Sequence, residues 1–322
     1  VVGKTHMRPD LEGMSRLGIT KDTEIGLIVS EPGFDPYERD DGLHPNNQIK
    51  NSKKTLSYNE WLNKLGYDGP NPWNDWANSA EGENGKILSG WRLRNSNKAA
   101  RIPEKHSETA FMTNRAMEFI EESKDKPWFL HLSYIKPHWP YMAPAPYHNM
   151  YSANEFYPVH RNDAERNNDH PVYKAFMENS ISKTFSKDEV RNTVLSGYMG
   201  LIKQIDDNLG RLFKFLEDTG HMEDTIVVYT SDHGDDQGDH WLGEKELLHE
   251  QSVRVPMIIY DPSEHANKSR GNKEKRFIEA IDLLPTFLAA VESPVSKHRL
   301  EGNSLMPVIK GEDVENWKDF VF

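Results

Sequence analysis

An α/β fold, with a largely parallel sheet covered by helices on both faces, is what this sequence predicts, and three observations predict it. Short, nearly continuous apolar runs recur at 128–135, 225–230 and 255–260, as expected of strands buried on both faces. Helical periodicity alternates with them at about 107–123, 187–218 and 282–291. Lysine, histidine and aspartate stand directly after strand-like runs, where an open α/β sheet gathers its ligands.

In chain order, Val1-Val2-Gly3 reads as the tail of a strand. Residues 30–105 are loop-like, with Gly, Pro, Asn, Asp and Trp scattered through them and little sustained periodicity. Within them Pro70-Asn71-Pro72-Trp73 and Trp76 suggest an ordered loop pinned by aromatic rings. Ser107 suits an N-cap for a helix whose face carries Phe111, Met112, Phe119 and Ile120. The longest helix repeats Val194, Tyr198, Leu201, Ile205, Leu209, Leu212 and Leu216 at three- and four-residue steps, and Gly220 stands where a C-terminal cap belongs. Pro256 comes near the start of its strand, where a missing N–H does little harm. Asp282 reads as the N-cap of the last helix, with Pro285 in its first turn. Residues 1–322 are expected to form one domain, with 30–105 as a long loop-rich insertion.

Composition narrows the partners. A formal charge of −12 argues against nucleic acid or an anionic membrane, because the net field repels polyphosphate. A small anion is still admissible, since a few local cations override the global field at short range. No apolar run approaches the ~20 residues of a membrane helix, so the chain reads as soluble. There is no cysteine, which removes disulfides and thiolate metal sites but leaves the compartment undecided. Without an initiator Met or signal peptide before Val1, and with Phe320-Val321-Phe322 resembling the start of a strand, the chain is expected to be part of a longer protein, incomplete at both ends.

Three strand ends deliver reactive side chains. The run 225–230 leads into Ser231-Asp232-His233-Gly234, the run 128–135 into Lys136-Pro137-His138, and Val1-Val2-Gly3 into Lys4-Thr5-His6. Asp232 and His233 suit a divalent metal, and a solvated acidic loop accounts for them equally well. Asp235, Asp236 and Asp239 need be no more than such a loop. Lys245, 13 residues after Asp232, reads by itself as a surface charge in an acidic stretch. Prolines on both sides restrict the backbone at His138, and both a catalytic and a packing role stay open. His131 reads as a core histidine; His240 and His249 read as loop or surface groups sooner than as supports for a metal site. Trp73, Trp76 and Trp91 suit either a sugar-stacking wall or packing.

Taken together, these residues resemble the sulfatases, arylsulfatase-like members of the alkaline phosphatase superfamily. The likeness is carried by Gly3-Lys4-Thr5-His6, by Lys136-Pro137-His138, and by Ser231-Asp232-His233-Gly234 with the downstream Gly238-Asp239-His240-Trp241-Leu242-Gly243-Glu244-Lys245. The segments around Arg254-Val255-Pro256 and Ile281-Asp282-Leu283-Leu284-Pro285-Thr286 also match, in the same order. The resemblance implies an alkaline-phosphatase-like sandwich. It implies Asp232 and His233 as metal ligands, Lys4 as a contact to sulfate and nucleophile, and His6 as support for the nucleophile's geminal hydroxyl. His138 and Lys245 would bind ester oxygens, with His138 the acid toward the leaving group. One divalent ion is implied, calcium first; manganese, magnesium or zinc are alternatives because imidazole is softer than calcium prefers. The implied partner is a small sulfate ester, an aryl sulfate or a sulfated sugar; oligomeric state is not indicated.

The chain departs from the family at its nucleophile. The Cys- or Ser-x-Pro-x-Arg motif that yields formylglycine is absent, and no further Asp ligands precede Lys4. These 322 residues alone are therefore expected to be inactive. A phosphonate monoester or phosphodiester hydrolase of the same superfamily is the nearest rival. Lys4-Thr5-His6 favours the sulfatase, since those relatives tend toward Tyr and Thr there. A non-catalytic relative that binds metal or glycan is the alternative of another class.

Overall fold

The computed structural model describes residues 1–322 except 6–8, 21–22, 31–32, 41–55, 153–154, 168–169, 294–299 and 322. Two compact units divide the chain, one of residues 1–212 with 236–244, the other of residues 213–235 with 245–322.

The first unit contains β1 (Val2–Gly3), α1 (Leu11–Arg16), α2 (Glu24–Ser30), β2 (Glu38–Arg39), α3 (Ser57–Lys64), β3 (Ser79–Glu81), β4 (Ile87–Ser89), α4 (Glu108–Ser123), β5 (Leu132–Ser133), α5 (Pro171–Glu178), α6 (Ser180–Phe185) and most of α7 (Asp188–Asp218). β1 lies between β2 and β5 and is parallel to both, in register Val2↔Glu38 and Val2↔Leu132. Parallel neighbours point their carboxyl ends the same way, so the segments after β1 and β5 leave the sheet side by side. The Lys4 N–H donates to the Ser133 carbonyl at 3.2 Å, which continues the pairing one residue past the strand.

Gly3 is what lets these strands approach. Its φ is +101°, and a Cβ there would overlap the Ser133 carbonyl oxygen. Gly3→Ala is expected to cost about 3 kcal/mol or more, combining the left-handed penalty with a backbone collision. Gly18→Ala is the control: φ there is +68° and nothing lies within 4 Å of the added methyl, so only about 1 kcal/mol is at stake. Denaturant unfolding of the two variants checks this, and equal losses would contradict it.

Ser107 caps α4 as expected, accepting the Ala110 N–H at 3.2 Å. Along α7, Val190, Val194, Leu201, Ile205, Leu212 and Leu216 are buried, the stripe the periodicity predicts, and Gly220 follows with φ +80°. Gln204 and Asn208 interrupt that stripe, buried but satisfied, Gln204 donating to Ser107 Oγ at 2.6 Å and Asn208 to Glu104 at 2.9 Å. Residues 30–105 hold more structure than their composition suggests. α3 buries Tyr58 and Leu62, and β3 pairs antiparallel with β4. The core there gathers Val2, Tyr58, Leu62, Trp73, Phe111 and Met112.

The run 128–135 is a strand only at β5, and it is buried on one side. Leu130, Leu132 and Tyr134 pack against the core, whereas Phe129 and His131 are exposed. An outer strand of a three-stranded sheet reveals the period of two that an apolar run conceals. His131 is therefore not the core histidine the run suggested; it stands beside the Phe34 ring, 5.7 Å away between centroids.

The second unit contains the end of α7, then β6 (Val227–Thr230), α8 (Glu250–Val253), β7 (Met257–Tyr260), α9 (Leu283–Ala290) and α10 (Met306–Ile309). β6 and β7 pair antiparallel, Val228 opposite Ile259, where apolar runs had suggested buried parallel strands. A two-stranded ribbon leaves much of its apolar surface open, and Ile258 and Tyr229 are exposed accordingly. Asp282 caps by a different route from the one expected. Its carboxylate accepts the Glu279 and Asn303 N–H groups, each at 2.8 Å, and pairs with Lys318, so it closes the turn before α9.

Candidate functional site

In the first unit, Lys4 follows β1 and His138 lies five residues beyond Ser133, the last residue of β5. His138 sits in a short closed turn. Its own N–H donates to the Ile135 carbonyl at 3.0 Å, and its Nδ1 lies 2.6 Å from the Trp139 carbonyl. A carbonyl only accepts, so Nδ1 carries a proton, and Nε2 is the nitrogen left to gain or lose one. Lys136 braces the same turn, its ammonium donating to the Pro140 carbonyl and to Asn78 Oδ1, both at 2.6 Å.

Glu108 lies below this brace. Its Oε2 accepts the Trp73 indole N–H at 3.0 Å, while Oε1 is buried without a hydrogen bond. Burial pushes the Glu108 carboxyl up, to about 7, against the pull of Lys136 and, more weakly, Lys4. Burial likewise pushes the Lys136 ammonium down, to about 8, while Glu108 acts to hold its charge. Sequence reasoning named Lys136 only as part of Lys136-Pro137-His138, with no role of its own, and passed over Glu108.

The second unit carries Asp232, His233 and Lys245. After β6 the chain turns at Gly234, whose N–H donates to the Ser252 carbonyl at 2.7 Å and whose Cα lies so close to the Gln251 carbonyl that a Cβ would collide with it. The turn sets the two candidate ligands together. His233 Nδ1 lies 2.8 Å from the Gly234 carbonyl, which makes Nε2 the ligand-capable nitrogen, and Nε2 is 3.4 Å from Asp232 Oδ2. Adjacent ligands at about 2.0–2.6 Å from an ion stand roughly 3–3.5 Å apart, so this pair fits one divalent cation. An ion takes four or more ligands, and among the described residues no group of three His, Asp or Glu converges on one point. The two side chains have the spacing of adjacent ligands and do not by themselves make a metal site.

Between these ligands and Lys245 the chain passes through residues 236–244, which belong to the first unit. The Asp236 N–H donates to the Glu244 carbonyl at 2.7 Å and closes the loop, so that 13 residues of separation shrink to short stems either side of one hydrogen bond. The acidic residues here are anchors and not the solvated loop their composition suggested. Asp236 is buried, and Asp239 accepts the His160 N–H at 3.0 Å and pairs with Arg191. Arg191 also donates to the Gln237 carbonyl at 3.0 Å, and the Arg161 and Arg166 guanidiniums both lie over the ring of loop residue Trp241, 4.3 and 3.5 Å from a ring centroid. His240 serves the same fastening through Glu165, 2.8 Å away.

His6 lies outside the described residues. The tryptophans resolve toward packing: Trp73 is fully buried, Trp76 is covered by Arg101 at 3.9 Å, and Trp91 meets Trp139 edge-on at 5.2 Å. No described helix is long and apolar enough to cross a membrane.

Parallel strands β1, β2 and β5 with helices around them give an α/β fold, and comparison with known proteins places it in the alkaline-phosphatase-like class. Phosphonate monoester hydrolase of Agrobacterium radiobacter superposes with a TM-score of 0.79 at 25% identity, covering 99% of this chain and 60% of that one. The sequence model of the Sulfatase family matches residues 33–293, and the chain belongs to that family. Multifunctional alkaline phosphatase superfamily protein PehA of Trinickia caryophylli is 35% identical over 237 residues, 69% of this chain and 45% of that protein. An arylsulfatase of Clostridium perfringens is 32% identical over 220 residues, 66% of this chain and 44% of that protein. The chain spans about half the length of the curated relatives it matches.

Proposed function

We propose that this chain supplies the anion clamp and two metal ligands of a sulfate-ester hydrolase. The observation that carries the reading is the parallel register of β1 and β5, which sends Lys4 and the His138 turn out of the same sheet edge. Cleavage of a sulfate monoester breaks the bond between sulfur and the leaving oxygen, so negative charge must be met on that oxygen and on the equatorial ones. Lys4 and Lys245 are, by family likeness, the residues that would bring positive charge to the equatorial oxygens. His138, protonated at Nε2, gives that proton to the departing oxygen. His6 supports the nucleophile. Asp232 and His233 hold a divalent ion, calcium by family likeness, which when bound acts as Lewis acid and template. The nucleophile, a formylglycine in the family, is not among these 322 residues, which hold neither Cys nor Ser-x-Pro-x-Arg. The natural substrate is then a small sulfate ester, an aryl sulfate or a sulfated sugar.

A second reading, a phosphonate monoester hydrolase, is favoured by the Agrobacterium superposition and by the multifunctional relative. The full-length protein decides between them. The sulfatase reading expects kcat/KM for 4-nitrophenyl sulfate to exceed that for 4-nitrophenyl phenylphosphonate at least tenfold, and the reverse order overturns it. The 322-residue chain alone is expected to hydrolyse neither.

A further inference from the structure

Two ionisable groups buried in the first unit, a lysine and a glutamate, are not among the clamp residues. Lys136 is 7% exposed and Glu108 4%. A small cavity of about 10 Å³, room for roughly one water, is bordered by both, together with Asn78, Ser107 and Gln204. Two charges taken out of water are costly, and removing one of them leaves the other buried and uncompensated.

That geometry points at His138. The turn 135–140 is tied at its start by the His138 N–H to the Ile135 carbonyl, and at its end by the Lys136 ammonium to the Pro140 carbonyl. The side chain two residues before His138 thus grips the backbone two residues after it, with the imidazole between. Lys136 is itself fixed by Asn78 Oδ1, and by the charge of Glu108, which Trp73 anchors. Asn78 is held in turn, donating to the Trp73 carbonyl at 3.0 Å. Glu108 and Asn78 therefore converge on one rigid support, the segment around Trp73.

We propose that Lys136 and Glu108 are a buried positioning pair that holds the His138 turn so that the imidazole can protonate the leaving oxygen. The inference rests on the proposed ester hydrolysis for its kinetic consequence and on the turn geometry for its structural one. Phenol, with the acidity of a tyrosine side chain at pKa about 10, needs a proton as it leaves, whereas 4-nitrophenol departs as the anion. A misplaced His138 must therefore penalise phenyl sulfate far more than 4-nitrophenyl sulfate.

The test is made in the full-length protein with K136M, and with the double variant K136M/E108Q, which removes both charges at nearly constant volume and so avoids leaving one buried alone. Each is expected to lower kcat for phenyl sulfate about a hundredfold, the scale of a general acid's contribution, while kcat for 4-nitrophenyl sulfate falls less than about fivefold and KM for both changes little. Equal losses on both esters, or none on either, overturn the proposal and leave the pair a merely structural element. If the wild-type protein turns over phosphonate esters and not sulfates, the same ladder of phenyl and 4-nitrophenyl leaving groups is run on phosphonates, and only the sulfatase reading has failed. A readout that needs no turnover is the imidazole Nδ1 proton of His138, assigned with H138Q. Its hydrogen-bonded resonance is expected in the wild type and lost in K136M and the double variant, and its persistence in both overturns the proposal.

Discussion

Asp232→Ala in the full-length protein is expected to abolish stoichiometric binding of the divalent ion and to lower kcat/KM for 4-nitrophenyl sulfate about a thousandfold or more. The expectation rests on the spacing of the two candidate donors. Asp232 Oδ2 and His233 Nε2 stand 3.4 Å apart, and the imidazole is oriented by its Nδ1 contact to the Gly234 carbonyl. Removing the carboxylate leaves a neutral imidazole, whose attraction for a hard cation is weak. A Lewis acid contributes several kcal/mol to a transition state that gathers charge on oxygen, and each decade of rate is 1.36 kcal/mol, which gives about three decades. Metal content measured by mass spectrometry reads the binding directly, apart from activity. A variant that retains one ion per chain would remove Asp232 from the ligand set. Asp232→Asn is expected between the two, since it keeps one oxygen donor and loses the charge.

The helices were legible in the sequence because their determinants are local. Ser107 caps α4 through an oxygen three residues from its partner, and the apolar stripe of α7 is written at three- and four-residue steps. Strands were less legible. β5 is two residues long, and its pairing with β1 joins residues 130 apart, Val2 to Leu132, which no local pattern encodes. An apolar run also cannot announce whether one face or two will be covered, and so Phe129, His131 and Ile258 were read as buried and are exposed.

The candidate site divides along the same line. Asp232-His233-Gly234 was visible because both ligands and the tight turn are consecutive. Asp236 and Asp239 looked like solvated charges, since their partners, Glu244 aside, lie far away: His160 for Asp239, and Arg191 for the same carboxylate. The pairing of Glu108 with Lys136 was invisible for the same reason, since it spans 28 positions, from the start of α4 to the turn after β5. Composition assigns such residues to the surface, because most lysines and glutamates lie there. Only the fold reveals a charge that has been buried on purpose.

Lys4→Tyr, the residue type that phosphonate-cleaving relatives tend to carry at this position, is expected to lower kcat/KM for 4-nitrophenyl sulfate about a hundredfold or more. The same change is expected to cost less than about tenfold on 4-nitrophenyl phenylphosphonate. The substrates differ at one place. A sulfate monoester has three non-bridging oxygens on sulfur, whereas a phosphonate monoester has two on phosphorus and a carbon substituent where the third would be. A fixed ammonium facing that third position is matched to oxygen and wasted on carbon, and losing one such donor typically costs 10²–10³ in rate. The fold gives Lys4 the rigidity this requires, because its backbone is hydrogen-bonded to Ser133 and Gly3 before it admits no side chain. A point charge on a flexible stem discriminates poorly unless its base is fixed. Equal losses on the two esters would show that Lys4 serves the groups common to both, its charge then acting on the nucleophile or on a shared oxygen. A selective loss on sulfate makes Lys4 a determinant of which ester this site prefers.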